Sequence, residues 1–347
     1  MIFRQLFHAE SGTYTYLLAS RSGGEALIID PVLERVDRYV KLFEELDVRL
    51  VKALDTHVHA DHITGLGELR DRTKCTTVMG KESPVDVVSM RVKDGDSIEI
   101  EGLALTALYT PGHTNDSYCY LMDDHVFTGD TLLIRGTGRT DFQSGSPRAQ
   151  YDSLFNRLLT LPEDTLVYPG HDYKGDTVST IGEEKRFNPR LQVSSVEAYE
   201  TLMGRLNLPN PRLMDVAVPA NMQIGLAQDE REHASWALDV STVMAAWRAK
   251  DSTLVDLRED SERRRDGLIP GSVHAPYPRL GEFIEPGGIL REMALATSRR
   301  IIFYCAFGER SRMAVEASQA EGLGNICHLV GGIDAWKKAG GAVETPA

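Results

Sequence analysis

No run of about 20 consecutive apolar residues occurs in the 347-residue chain, so no membrane-spanning helix is expected. Basic residues are the minority charge, 38 Lys and Arg against 51 Asp and Glu. The net charge of −13 argues against nucleic acid or an anionic membrane surface as the main partner. Cysteine is scarce: Cys75, Cys119, Cys305 and Cys327 show no paired spacing. The opening residues also lack a basic segment leading into an apolar one, so neither a disulfide framework nor a secretory signal is expected. Repeats and low-complexity segments are absent. With 42% hydrophobic and 26% charged residues, the chain reads as ordinary folded protein, about two domains by length. The expectation is a soluble cytoplasmic protein in which at most one or two reduced thiols do chemistry.

Two regions of different character follow one another. From Trp236 onward there are 14 basic and 15 acidic residues, so nearly all the negative charge lies before it. Up to about residue 180, short β-rich runs alternate with Gly/Pro/Asp turns: Ala26–Pro31, Arg49–His57, Cys75–Gly80, Ser97–Gly112, Ser117–Leu133 and Asp164–Asp172. Helical patterns fall at Glu34–Leu46 and Ala149–Leu161. Residues 180–234 read as mostly helical, with breaks expected at Asn207–Pro211 and Val218–Asn221. Beyond a charged linker, Leu254–Asp256 and Ile301–Tyr304 read as buried parallel strands, and Ser311–Glu321 and Ile333–Ala339 as helices. The division expected is a domain over 1–230, a linker over 231–236 and a small α/β domain over 237–347.

The strongest chemical signal is Asp55–His62, which offers His57, His59, Asp61 and His62 directly after an apolar strand. Imidazole nitrogens and carboxylate oxygens suit a first-row divalent ion. Single candidates follow at His113, Asp130 and His171, each in a Gly-containing turn just past a strand. A lone histidine at a strand end usually serves structure; this many candidate ligands on strand-end loops point to a metal site. Residue types alone would accept zinc, manganese or iron.

This pattern over residues 1 to about 230 resembles the metallo-β-lactamase fold superfamily, which implies a four-layer αββα sandwich. The segments Leu132–Gln143, His171–Tyr173 and Val216–Asn221 resemble its persulfide dioxygenase branch. That branch implies one non-haem Fe(II) on His57, His113 and Asp130, with open positions for a persulfide sulfur and O2. His59, Asp61, His62 and His171 would then orient the ligands and bind water. The related glyoxalase II branch implies instead two metal ions, zinc in this alternative. There His57, His59, His113 and Asp130 would hold one ion, and Asp61, His62, His171 and Asp130 the other, to hydrolyse a glutathione thioester. All ligands of both readings are present. Arg135, Arg139, Lys174 and Arg212 are candidates for a positive rim. The resemblance implies glutathione contacts from Tyr173 and Arg212, with Arg139 near the site.

A second signal is the run Ile301–Ser311: a buried strand ends, Cys305 opens a loop of Ala306, Phe307, Gly308 and Glu309, and Arg310 closes it. Converging backbone N–H groups and the following helix start both lower a thiol pKa, and the thiolate is the nucleophile. Arg310 can add a fixed positive charge and hold an anionic group. With Val255–Glu259, Gly267–His274 and Gly331–Trp336, this region is similar to a rhodanese domain, although Leu268 stands where that family often has histidine. The loop is one residue shorter than a phosphatase loop, which suits a sulfur-carrying thiol. The resemblance implies a persulfide on Cys305, formed from thiosulfate and removed by glutathione.

The two regions together imply a bifunctional enzyme, in which the second makes glutathione persulfide and the first oxidises it with O2 to sulfite and glutathione. Rivals are a dinuclear zinc hydrolase with an attached sulfurtransferase, a relative of flavodoxin-linked oxygen or nitric-oxide reductases, and a non-enzymatic sulfur carrier. No flavin-binding segment supports the second, and the intact ligand set and nucleophile disfavour the third. Whether the protein is a homo-oligomer, and which way sulfur moves, stay open.

Overall fold

The computed structural model describes residues 1–142, 144–206, 208–209, 211, 213–225, 235–297 and 299–346. The chain forms two compact units: one holds Met1–Asp86 and Met90–Ile224, the other Val87–Ser89 and Gly225–Ala347. Among the described residues, no helix is long and apolar enough to cross a membrane.

The first unit contains two six-stranded sheets. One runs, in spatial order, Ile2–His8, Thr13–Ala19, Glu25–Ile29, Arg49–Leu54, Thr76–Gly80 and Met90–Val92. The other runs Ser179–Thr180, Leu166–Pro169, His125–Gly129, Tyr118–Met122, Leu103–Tyr109 and Ser97–Ile100. Strand alternation explains how they stack. Tyr118, Tyr120 and Met122 face the first sheet in a core with Tyr14, Tyr16, Leu27, Leu54 and Val78. Cys119, between them, faces the opposite layer with Leu154, Leu158 and Tyr199 from the helical segments. The αββα order is therefore present. Each large side chain buried there contributes about 1.5–3 kcal/mol. A one-residue slip would turn every one of them to the wrong face, so register is tightly specified.

Four strands of this unit lie outside the β-rich runs read from the sequence: the short Met90–Val92 and Ser179–Thr180, and Ile2–His8 and Thr13–Ala19, paired antiparallel from Ile2↔Ala19 to His8↔Thr13. Every residue of Thr13–Ala19 is buried, which leaves no alternation to read. The break expected at Val218–Asn221 is also corrected. These residues close the helix Met214–Asn221, Pro219 included, and the Met222 N–H still reaches the Val218 carbonyl at 3.1 Å.

The second unit holds a five-stranded, all-parallel sheet in the order Ala237–Leu238, Ile326–Leu329, Arg300–Tyr304, Ser252–Asp256, Val273–His274. Its strands read as continuous apolar runs because both faces are covered. Val255, Ile301 and Phe303 pack on one side, and Leu254, Ile302, Tyr304 and Trp336 on the other. Residues 231–234 of the expected linker lie outside the described residues; Trp236 packs against both of this unit's cores.

Candidate metal centre and active-site loop

Every candidate ligand of the first unit sits just past the C-terminal end of a strand. Asp55–His62 follows Arg49–Leu54, His113 follows Leu103–Tyr109, Asp130 follows His125–Gly129, and His171 follows Leu166–Pro169. The turns fit closely. A Cβ on Gly138 would lie 2.2 Å from the Asp130 carbonyl oxygen and 2.7 Å from His113 Nδ1, so only glycine lets this turn lie against both residues.

Hydrogen bonding assigns the histidine protons. Thr56 donates to Asp30 twice, from its backbone N–H at 2.7 Å and its hydroxyl at 3.0 Å. Its Oγ1 is therefore left to accept from His57 Nδ1, 2.9 Å away. His113 Nδ1 lies 2.7 Å from the Arg139 carbonyl, which can only accept. Both rings thus carry the proton on Nδ1 and offer a bare Nε2. One ligand atom each from His57, His113 and Asp130 falls within 4.8 Å of the others, with His113 Nε2 3.5 Å from Asp130 Oδ2. Two imidazoles and a carboxylate with free lone pairs, their far sides fixed by hydrogen bonds, suit a divalent first-row ion.

The other four candidates form a second layer beside this trio. His171 gives Nδ1 to Asp130 Oδ1 at 2.6 Å and Nε2 to Asp61 Oδ2 at 2.8 Å. Despite burial, these two carboxylates raise its pKa well above the ordinary histidine range. Asp130 is correspondingly held below its usual range, by His171 and then His113 and His57, against the opposing effect of burial. His59, Asp61 and His62 also bring one ligand atom each within 4.8 Å of one another. His59 Nε2 faces Asp30 Oδ1 at 3.2 Å and His62 Nδ1 faces Asp61 Oδ2 at 2.9 Å, while His59 Nδ1 and His62 Nε2 are buried without a partner among the described residues.

Several contributors were not singled out from the sequence. Asp30 and Thr56 fix His57; Thr13 donates to Asp61 at 3.0 Å and lies 3.2 Å from His171 Nε2. Asn221, at the end of a helix, donates to the carbonyls of His59 and His62, both at 2.9 Å. Only the segment holding Asn221 carried a signal. Thr13, Asp30 and Thr56 are residue types found everywhere.

A cavity of about 270 Å³ opens onto the trio. Arg135, Arg139, Tyr173, Lys174 and Arg190 contribute to its wall, but they are not equally available. Arg135 pairs with Glu183 and Glu184, and the Arg139 fork grips Asp141 at 2.6 and 2.7 Å and the Pro209 carbonyl at 2.7 Å. The positive rim is therefore carried by Lys174 and by Arg190, whose side chain bonds only Thr137 among the described residues and which the sequence reading passed over. Asp172 accepts backbone N–H groups from Lys174 at 2.7 Å and Asp176 at 3.0 Å, shaping the turn that carries Tyr173. Tyr173 is 75% exposed as a residue, and its ring stacks on His171 with centroids 6.0 Å apart. Arg212 lies outside the described residues.

In the second unit Cys305 is fully buried at the end of the strand Arg300–Tyr304, and the Gly308 N–H donates to its Sγ at 3.1 Å. Gly308 holds φ +100°, where a side chain would be strained. The helix starts at Glu309, two residues earlier than expected, so Arg310 and Ser311 belong to its first turn. Ala306 and Phe307 are half-buried and Glu309 is buried. Arg310 is also fully buried, with both terminal nitrogens on Glu262 at 2.7 and 2.6 Å, which leaves only Nε without a partner among the described residues. The expected free cation is thus a neutralised pair, and the anion-holding groups of the loop are its N–H groups and helix start. Among the other cysteines, burial pushes the Cys119 thiol up to about 11 and raises that of Cys327, as befits inert thiols.

Comparison with known proteins agrees with this division. The sequence model of the metallo-beta-lactamase superfamily matches residues 9–86 and 80–171, and that of the rhodanese-like domain residues 240–339. The chain is 48% identical over 229 residues to "Persulfide dioxygenase ETHE1, mitochondrial" of Homo sapiens, covering 65% of this chain and 89% of that protein. The crystal structure of ETHE1 from Myxococcus xanthus is similar with a TM-score of 0.63 and 54% identity, over 64% of this chain and 98% of that one. A metallo-beta-lactamase structure from Staphylococcus aureus covers 95% of this chain and 99% of its own at a TM-score of 0.60. At 19% identity that likeness is one of fold.

Proposed function

Since the chain belongs to the persulfide dioxygenases of the metallo-β-lactamase superfamily and carries a rhodanese sulfurtransferase domain, we propose that its first unit oxidises glutathione persulfide with O2 at one Fe(II), and that its second moves sulfane sulfur between thiosulfate and glutathione through Cys305. One persulfide anion, one O2 and one water give one thiol, one sulfite and one proton.

The choice of a mononuclear site rests on the 48% identity to a persulfide dioxygenase, over 89% of that protein. His57, His113 and Asp130 would hold the ion, and iron bound there would supply the oxygen chemistry. The chain's own groups do the rest. Thr56 and the Arg139 carbonyl hold the two imidazoles in the tautomer that presents Nε2, and His171 clamps the far oxygen of Asp130. Lys174 and Arg190 receive the glutathione carboxylates, and Tyr173 lies along the peptide.

In the second unit the Cys305 thiolate attacks the outer sulfur of thiosulfate. The S–S bond breaks and sulfite departs with its electron pair. A glutathione thiolate then takes the sulfur from the Cys305 persulfide and restores the cysteine thiolate. The Gly308 N–H supports the negative sulfur before and after transfer.

The test is O2 uptake by iron-loaded protein given glutathione persulfide, together with a metal count. Uptake with sulfite formed and one iron per chain is expected. Two metals per chain and no uptake, with turnover of a glutathione thioester, would replace this reading by the hydrolase.

A further inference from the structure

Ser311 lies in the first turn of the helix Glu309–Ala320, and its buried hydroxyl sits among three groups. Its Oγ is 2.9 Å from the Gly308 carbonyl, 3.1 Å from His328 Nδ1 and 3.8 Å from Cys305 Sγ. His328 comes from the neighbouring strand Ile326–Leu329, where it pairs with Phe303 two residues before the cysteine. It is 2% exposed, and its ring packs on Trp236 with centroids 5.3 Å apart. Sulfur transfer as described above makes no use of this line of three side chains.

A serine hydroxyl has one proton and two lone pairs. It can take the thiol proton only while giving up its own. Of its other two neighbours, the Gly308 carbonyl cannot keep a proton and an imidazole Nδ1 can. We propose that His328 is the proton acceptor of Cys305, acting through Ser311. The S–H bond breaks, its proton goes to Ser311 Oγ, and the original hydroxyl proton passes to Nδ1. A thiolate and an imidazolium result, with protons conserved and no electron transferred.

An imidazolium near a thiolate favours the charged pair, against the opposing effect of burial. Gly308 serves both ends at rest, donating its N–H to sulfur and accepting from the Ser311 hydroxyl, whose proton turns from the Gly308 carbonyl to His328 Nδ1 when the relay operates. The charged groups around this loop are Arg310, which interacts with Cys305, with Glu262 and Glu259 on Arg310, and the buried Glu309, which accepts from Ser89. Arg310 and Glu262 cancel one another, so the imidazolium is what adds positive charge to this line. The inference rests on Cys305 being the nucleophile and makes Ser311 and His328 positioning residues.

The experiment is a pH titration of thiolate absorbance near 240 nm in the full chain, with the Cys305→Ser protein subtracted so that only this thiol is read. Ser311→Ala and His328→Asn are each expected to move the midpoint up by about one unit, a tenfold loss of thiolate below it. The double variant should move no further than either single one, and Ser311→Thr should keep the original midpoint. A merely structural serine would lower stability and leave the midpoint in place. An unchanged midpoint in the folded Ser311→Ala and His328→Asn proteins overturns the relay. If the unaltered protein shows no titrating thiolate assignable to Cys305 below pH 9, the nucleophile reading itself falls, and the relay with it.

Discussion

The metal centre and the sulfur loop both lie at the C-terminal ends of strands, and both bury charge. They differ in how far along the chain their parts are gathered. The metal trio draws on residues from His57 to Asp130, with supporting groups from Thr13 to Asn221. The sulfur loop is six contiguous residues, Cys305 to Arg310, with Glu262 behind it. A metal needs several donors converging from different directions, which one short loop cannot supply. A thiolate needs a turn of N–H groups and a helix start, which one loop supplies, with a single residue, His328, reaching it from the neighbouring strand. The metal centre should therefore be sensitive to many distant substitutions, and the loop to few.

The sharpest way to break this comparison is to remove one part from each region. Cys305→Ser should abolish sulfur transfer from thiosulfate, by at least about a thousandfold, and leave oxidation of supplied glutathione persulfide within about twofold. His113→Ala should do the reverse, with loss of bound iron. Sulfite release and O2 uptake measured side by side check both. Loss of both activities in either folded variant would show that the two regions are not separable.

Next in size is the Arg310–Glu262 pair. Both side chains are essentially without exposure, so Glu262→Ala leaves a buried guanidinium uncompensated. Such losses cost about 3–5 kcal/mol. All three tryptophans, Trp236, Trp247 and Trp336, lie in the second unit, so their fluorescence in a urea titration reports on this unit alone. A change under about 1 kcal/mol would mean that the pair is solvated or exchangeable, and that Arg310 is free to meet an anion after all.

The legibility of the two regions follows the same divide. Contiguity made His57, His59, Asp61, His62 and the Cys305 loop readable, and strand-end glycine turns flagged His113, Asp130 and His171. Pairing across the chain was not readable. Whether Arg135, Arg139 and Arg310 are free cations depends on Glu183, Asp141 and Glu262, and no local pattern announces the first and third of those contacts as ion pairs, each spanning 48 residues. The same holds for Asp30, which reaches Thr56 and His59 from another strand. The fold was legible where strands alternate or run apolar between turns. It was not where Thr13–Ala19 mixes Thr and Tyr into a strand buried on both faces, nor at Pro219, where a helix closes through a proline.

Thr56 tests the claim that distant support matters more at the metal centre. Thr56→Val keeps the shape but removes the donor to Asp30 and the acceptor for His57 Nδ1. Loss of such a partner typically costs about 10–100-fold in metal affinity. Competition against a chelator of known strength would measure it. An unchanged affinity would show that His57 is oriented by packing alone, and the tautomer argument would lose its basis.

The smallest expected effect concerns the rim. Lys174 lines the cavity, has no carboxylate partner among the described residues and is exposed to solvent, so its attraction for an anionic substrate is screened. Lys174→Ala should raise KM for glutathione persulfide about threefold, roughly 0.6 kcal/mol, with kcat unchanged, because an exposed ion pair contributes about 0–1 kcal/mol. Raising the salt concentration should shrink the difference between variant and unaltered protein. Arg139→Ala separates charge from scaffold: its guanidinium already holds Asp141, while its backbone carbonyl, which the substitution keeps, orients His113. If Arg139→Ala raised KM more than Lys174→Ala did, Arg139 would have to leave Asp141 when substrate arrives, and the sequence-based expectation of a substrate-binding arginine near the site would replace the reading drawn from the resting geometry.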